Sequence, residues 1–156
     1  EEDALRLPLF AGTDGNSVRP IPTDISQPYS SDLAVLPILG TPGEDLLIGS
    51  ETSDRLEALE GDDFLIGGAG SDQLIGGDGA DHFILEMISD STWDNPDKII
   101  GFSTDDRLDL SSLNLGTGAI QLEQLGPGSW MLFASETDLA VEIRTRQIGF
   151  EQILLN

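Results

Sequence analysis

GTPGEDLLI (40–48), GSETSDRLE (49–57), ALEGDDFLI (58–66), GGAGSDQLI (67–75) and GGDGADHFI (76–84) follow one another without a gap. The sixth place of every copy is aspartate: Asp45, Asp54, Asp63, Asp72 and Asp81. Two places later stands a large apolar side chain: Leu47, Leu56, Leu65, Leu74 and Phe83. A fixed period outranks local propensity, because each copy is then one structural unit stacked on the next.

Each copy divides into six turn-forming residues ending in aspartate and a three-residue strand. A strand that short presents its middle side chain inward. Two copies then complete one turn of a flattened parallel helix with a strand on each side. The loop of one copy lies under the loop two copies later. Asp45, Asp63 and Asp81 form one column, and Asp54 and Asp72 the other. Parallel strands stack about 4.8 Å apart, and two carboxylates at that spacing repel by about 3 kcal/mol at an effective dielectric near 20. A cation between them removes the penalty. Gly43, Gly61, Gly70 and Gly79 permit positive φ, and Gly68 and Gly77 a tight backbone approach, so that carbonyl oxygens turn inward. An all-oxygen cage of this flexible kind suits Ca2+ better than Mg2+.

The copies GGAGSDQLI and GGDGADHFI resemble, place for place, the GGxGxDxUx nonapeptide of the repeats-in-toxin (RTX) family, a calcium-binding parallel β-helix repeat. The resemblance implies an all-β fold, a right-handed parallel β-roll (a β-helix solenoid) with a β-rich C-terminal cap. It also implies Ca2+ held between loops on one side by aspartate carboxylates and backbone carbonyls. Carried over here, that gives three ions: Asp45 with Asp63, Asp63 with Asp81, and Asp54 with Asp72. The first three copies depart from the pattern, with Thr41 and Pro42, Ser50 and Thr52, and Ala58 and Leu59. The complete glycine sets of the last two copies are expected to hold calcium most tightly and to start folding. Asp90 falls nine residues after Asp81 and is expected to close a fourth site above Asp72, or else to be a solvated loop residue.

Composition agrees with a metal requirement. The 156-residue chain has 29 acidic residues against 7 Lys plus Arg, a formal charge of −22. That balance argues against nucleic acid, whose binders need a basic footprint, and against anionic membrane surfaces. Residues 40–90 hold 13 acids against one arginine, so three Ca2+ would cancel half of the local excess. Folding and metal binding are expected to be one event, with disorder in the absence of metal. No cysteine is present, so disulfides and thiol chemistry are excluded.

Outside the repeats the pattern changes. Residues 1–32, with Pro8, Pro20, Pro22 and Pro28, read as an extended leader or linker. The chain opens Glu-Glu-Asp, which suggests a processed or excised fragment. LAVLPIL (33–39) reads as a strand capping the open N-terminal end of a roll over 40–90, and is too short to span a bilayer. DKIIGF (97–102) and DDRLDLS (105–111) resemble the segment that follows the last repeat in secreted RTX proteins. There Ile99, Phe102, Leu108 and Leu110 are expected to seal the C-terminal mouth. Residues 91–156 form the cap, with strands over 119–125, 130–134, 139–145 and 148–155, the middle two as a hairpin. Ile153, Leu154 and Leu155 fit either a last cap strand or part of the type I secretion address that the family carries at this end.

Catalytic signatures are missing. His82 is the single histidine and flanks the inward Phe83 as an exposed strand residue. There is no HExxH or GxSxG. Trp93 and Trp130 read as packing residues of the cap. The reading is a non-catalytic calcium-binding module that folds on Ca2+ outside the cell, secreted or at the surface, without membrane insertion, within a larger protein. It serves either an enzyme encoded upstream, as an accessory folding and secretion domain, or adhesion to a matrix or surface partner. An intracellular calcium buffer is a third reading and would require tighter sites.

Overall fold

Strands form where the repeats place their apolar triplets. The computed structural model describes residues 36–116 and 118–155, so the leader expected over 1–32 and residues 33–35 lie outside the described residues. β1 (Ile38–Leu39), β2 (Leu46–Ile48), β3 (Arg55–Glu60), β4 (Phe64–Ile66), β5 (Gln73–Asp78) and β6 (His82–Ile84) alternate between two sheets. The alternation continues through β7 (Asp97–Ile100) and β8 (Arg107–Asp109). After these come β9 (Ile120–Gly126), β10 (Ser129–Ala134), β11 (Ala140–Arg144) and β12 (Ile153–Leu154). One sheet has the order β1-β3-β5-β7-β11-β10-β9, the other β12-β8-β6-β4-β2. This is an all-β parallel β-roll.

Register explains the period of the apolar residues. In the larger sheet Ile38, Leu56, Leu74, Ile99 and Ile143 stand rung upon rung. In the smaller sheet the rungs are Leu47, Leu65, Phe83, Leu108 and Ile153. Both ladders belong to one hydrophobic cluster, in which Leu56, Leu65, Leu74, Phe83, Ile99 and Leu108 are fully buried. Fully burying a side chain of this size contributes about 1.5–3 kcal/mol relative to exposure. A one-residue slip of any strand would turn its rung outward, so the ladders hold the register.

Several expectations change. The parallel sheets do not stop at residue 90 but run on through β7 and β8, so Ile99 and Leu108 are interior rungs rather than a seal across the mouth. β3 and β5 are six residues long, because pairing extends into the following loop, Leu59 against Gly77 and Glu60 against Asp78. In the described part of the expected N-terminal cap, Ile38 packs on the core while Leu36 and Leu39 are exposed. Among the described residues β1 is the edge rung of the larger sheet. The segment expected as one strand over 148–155 is a 3-10 turn, Phe150–Gln152, followed by the two-residue β12.

The C-terminal end closes each sheet differently. β11 adds in parallel to β7, then β10 and β9 follow antiparallel as a meander. β12 adds in parallel to β8. Trp130 packs partly buried against the core, and Trp93 stacks on Phe133 with ring centroids 5.3 Å apart. His82 is half-buried and stacks on Phe64 at 5.0 Å.

Candidate metal centre

The aspartates that end the loops stack in two columns along the edges of the roll. The backbone N–H of Asp45 donates to Oδ1 of Asp63 (2.8 Å), and that of Asp63 to Oδ1 of Asp81 (3.1 Å). On the opposite edge the N–H of Asp54 donates to Oδ1 of Asp72 (2.8 Å). The carbonyls of the same aspartates accept from the strands above: that of Asp45 from Phe64 N–H, that of Asp54 from Gln73 N–H and that of Asp63 from His82 N–H. Each aspartate thus joins its own loop to the loop 18 residues on.

Glycine permits this stacking at close range. A Cβ on Gly79 (φ +139) would stand 2.0 Å from the carbonyl oxygen of Gly61, and one on Gly77 (φ +116) 1.9 Å from that of Leu59. L side chains rarely adopt such φ values. Gly61, Gly68 and Gly70 also have positive φ and lie against Gly43, Ser50 and Thr52. Gly43 does not follow the expectation. It has no positive φ and open space around its Cβ position, because among the described residues no earlier loop lies against it. Leu59 occupies the place of a repeat glycine and keeps the glycine geometry at φ 86.

The remaining carboxylate oxygens define the chemistry. Asp63, Asp72 and Asp81 are fully buried, and Oδ2 of each has no hydrogen-bond partner. Oδ2 of Asp72 and Asp81 points at the first glycine of its own loop, so that a Cβ on Gly67 or Gly76 would strike it. Such an oxygen is costly unless it is protonated or bound by a cation. Burial raises the carboxyl of Asp63 above its usual range and lifts those of Asp72 and Asp81 to about 6, with neighbouring aspartates adding to the rise. At the degenerate first loops the equivalent oxygens are occupied. Oδ2 of Asp45 accepts from Thr41 N–H (2.5 Å) and Oδ2 of Asp54 from Ser50 N–H (2.6 Å). Among the described residues no three acidic or histidine side chains converge on one point. A cation here would take one or two carboxylates and otherwise backbone carbonyls. The donor set is all oxygen and suits Ca2+.

Above Asp72 the structure departs from the sequence expectation. Asp90, nine residues after Asp81, does not continue the column. The acceptor for Asp72 N–H is Oδ1 of Asp97 (2.9 Å), 25 residues on, and the acceptor for Asp81 N–H is Oδ1 of Asp106 (3.1 Å), also 25 on. Asp90 lies instead in a 3-10 turn, 4% exposed, with Oδ2 accepting from Met87 N–H (2.9 Å) and Oδ1 unpartnered. Asp97 and Asp106 were legible in one respect. They stand nine apart, each followed two places later by an apolar rung, Ile99 and Leu108. The repeat therefore resumes after a seven-residue detour. Burial, with the charges of Asp72 and Asp90, lifts the Asp97 carboxyl to about 8. On the other column Gln152 closes the last loop: its Nε2 donates to the carbonyls of Ser103 (2.7 Å) and Asp106 (3.4 Å).

The comparisons with known proteins agree with this geometry. The family model of the RTX calcium-binding nonapeptide repeat (4 copies) matches residues 39–74 and 48–83. A comparison with curated proteins gives no match. Among solved structures, the AlgE6R2 subunit of the Azotobacter vinelandii mannuronan C5-epimerase is similar at 27% identity and TM-score 0.56, over 77% of this chain and 92% of that one. The AlgE6R3 subunit of the same epimerase is similar at 25% identity and TM-score 0.50, over 78% and 83%. The extracellular lipase LipA from Serratia marcescens gives 18% identity and TM-score 0.46, over 75% of this chain and 20% of that one. No helix among the described residues is long and apolar enough to cross a membrane. Residues 39–83 of this chain match the RTX calcium-binding nonapeptide repeat, and the sheets they build form a parallel β-roll similar to the AlgE6R2 subunit.

Proposed function

We propose that this chain is a non-catalytic module that folds on binding Ca2+ outside the cell, as part of a larger secreted or surface protein. The observation that carries the reading is the set of buried, unpartnered Oδ2 atoms of Asp63, Asp72 and Asp81. Three ions would lie between stacked loops, with Asp45 and Asp63, Asp63 and Asp81, and Asp54 and Asp72 as carboxylate ligands. Loop carbonyls would complete each site, in the turns bent by Gly61, Gly68, Gly70, Gly77 and Gly79. Gly43 contributes its place beneath Gly61 rather than a special backbone angle. Bound Ca2+ supplies positive charge to oxygens that have no other partner.

The protein's own residues do the rest. Oδ1 of Asp63, Asp72 and Asp81 holds the loop below in register, while the apolar ladders wait on that register to pack. Without the cation the columns are two lines of buried like charges, so the acidic chain has little reason to close. At millimolar extracellular calcium an affinity typical of extracellular modules suffices, and ligand binding to the folded state alone drives folding by mass action.

The similarity to subunits of an epimerase favours an accessory module attached to an enzyme over an adhesion module. The upstream reading frame separates the two, since a catalytic domain supports the first and adhesive repeats the second. For the calcium reading itself, far-UV circular dichroism in EDTA should report a largely unfolded chain that gains β signal over a millimolar Ca2+ titration. Identical spectra with and without calcium would overturn it.

A further inference from the structure

The chain carries 29 acidic residues against 7 Lys plus Arg, so the places of its few cations are informative. Three of the described ones have neighbours that account for them. Arg55 pairs with Glu57 and donates to Gln73 Oε1 (2.8 Å). Nη1 of Arg107 donates to the carbonyls of Asp105 (3.1 Å) and Asp106 (2.7 Å), and Lys98 stands beside Glu142 across β7 and β11. The remaining two, Arg144 and Arg146, line one cleft. Arg144 donates through Nε to Glu142 (3.1 Å), which leaves its Nη groups uncommitted. The exposed Arg146 side chain bonds to no described residue.

The cleft opens where β7 and β11 part. Their pairing ends at Ile100 and Arg144, and Gly101 N–H then donates to the Arg144 carbonyl (3.1 Å). Residues 101–104, Gly128 and residues 144–147 line about 600 Å³ of space. The lining is held from behind. Phe102 is buried and packs on Phe83, and the Ser103 carbonyl accepts from Gln152 Nε2 (2.7 Å). Thr145 N–H donates to the Gly128 carbonyl (3.1 Å). Gly101, at φ +80, has nothing within 4 Å of its Cβ position, so the backbone there is open to a ligand. Among the described residues no carboxylate lines the space.

We propose that this cleft binds a small organic dianion, a dicarboxylate or a phosphate monoester, held by the guanidinium groups of Arg144 and Arg146. A guanidinium fork matches the paired oxygens of a carboxylate or phosphate with two parallel hydrogen bonds. Ser103 and Thr104, also in the lining, add hydroxyl donors. The volume falls within the range of small-molecule sites, about 300–1,000 Å³. The formal charge of −22 selects against a long polyanion, whose remaining charges would lie against an acidic surface. A compact dianion confines its charge to the two arginines. The inference goes beyond the calcium reading, since no aspartate of the columns takes part in the site.

NMR titration of the isotope-labelled, calcium-loaded full chain with succinate and, separately, with phenyl phosphate tests it. Free calcium is held constant, and succinamide serves as the uncharged control. The expected result is saturable shifts of the amides of residues 101–104, Gly128 and residues 144–147 with at least one anion, and none with succinamide. The double variant Arg144→Gln, Arg146→Gln should bind about tenfold more weakly or worse, and Arg55→Gln as wild type. Succinate alone assigns a dicarboxylate, phenyl phosphate alone a phosphate ester, and both together the shared dianion. No saturable shift with either anion, an equal response to succinamide, or unchanged affinity in the double variant overturns the site. Shifts confined to the aspartate columns would report calcium withdrawal and overturn it as well. If the amide spectrum shows that the double variant is unfolded, Arg146→Gln alone takes its place, since that side chain bonds to no described residue. A chain that folds without calcium is titrated without it, so failure of the calcium reading leaves this test intact.

Discussion

The backbone N–H of Asp72 reaches Oδ1 of Asp97, 2.9 Å away, across 25 residues of sequence where the bond below it spans 18. The column absorbs a seven-residue detour and keeps its hydrogen-bond pattern. Asp97 is 1% exposed and its carboxyl is lifted to about 8, so near neutrality it is largely the neutral acid. Asp97→Asn keeps an acceptor and removes the ionisable group, and should leave thermal stability near wild type. Asp97→Ala leaves the buried Asp72 N–H without an acceptor and should cost about 1–3 kcal/mol. Thermal melts at saturating calcium check the pair, and equal losses in both variants would contradict the acceptor role.

Asp63 and Asp54 should differ in weight. Asp63 is fully buried, accepts Asp45 N–H through Oδ1, and leaves Oδ2 to a cation. Asp54 is half-buried and its Oδ2 is already taken by Ser50. Asp63→Ala should move the calcium midpoint of folding upward by a larger factor than Asp54→Ala. Equal midpoints in a spectroscopic titration would count against the stacked columns.

Calcium-free folding should respond to acid. Burial raises the carboxyls of Asp63, Asp72 and Asp81, the last two to about 6, and lifts Asp97 to about 8. A raised folded-state pKa means that the folded chain binds these protons more tightly than the unfolded one. The calcium-free fold is thus favoured below about pH 4 and loses stability as pH rises through about 6 and on toward about 8. Calcium needs the deprotonated oxygens, so its midpoint should fall over the same range. In EDTA the β signal should be stronger at about pH 4 than at about pH 7.5, and a flat profile between them would refute the linkage.

Leu59 holds a glycine's place at φ 86 and is 44% exposed. A left-handed backbone costs an L residue about 1–2 kcal/mol. Leu59→Gly should therefore stabilise the calcium-loaded roll by about 1 kcal/mol, less the entropy that glycine adds to the unfolded chain. A rise in melting temperature checks this, and a fall would show that the Leu59 side chain contributes more than its backbone strain.

Phe83 is fully buried between Leu65 and Leu108 on the ladder of the smaller sheet and packs on Phe102 at 5.8 Å. Phe83→Ala should cost about 3–5 kcal/mol. Chemical denaturation of the calcium-loaded protein measures it, and a loss below about 1 kcal/mol would place Phe83 outside the core.

The nine-residue period by itself determined the roll. Aspartate at the sixth place and an apolar residue at the eighth specify a loop and a rung in every copy, and stacking equal units puts like residues in columns. Leu47, Leu65 and Phe83 face inward, and Asp45, Asp63 and Asp81 share an edge, because these relations follow from consecutive residues alone. The tertiary structure decided what lies beyond the last perfect copy. Counting nine from Asp81 leads to Asp90, yet the rung is Asp97, because β7 pairs with β5 wherever its backbone and Ile99 fit, whatever the length of chain between them. The same holds for Gln152, whose amide closes the loop of Asp106 from 46 residues away. A repeat writes its geometry locally; the resumption of a register after an insertion, and the group that ends a column, are set by non-local pairing that no period records.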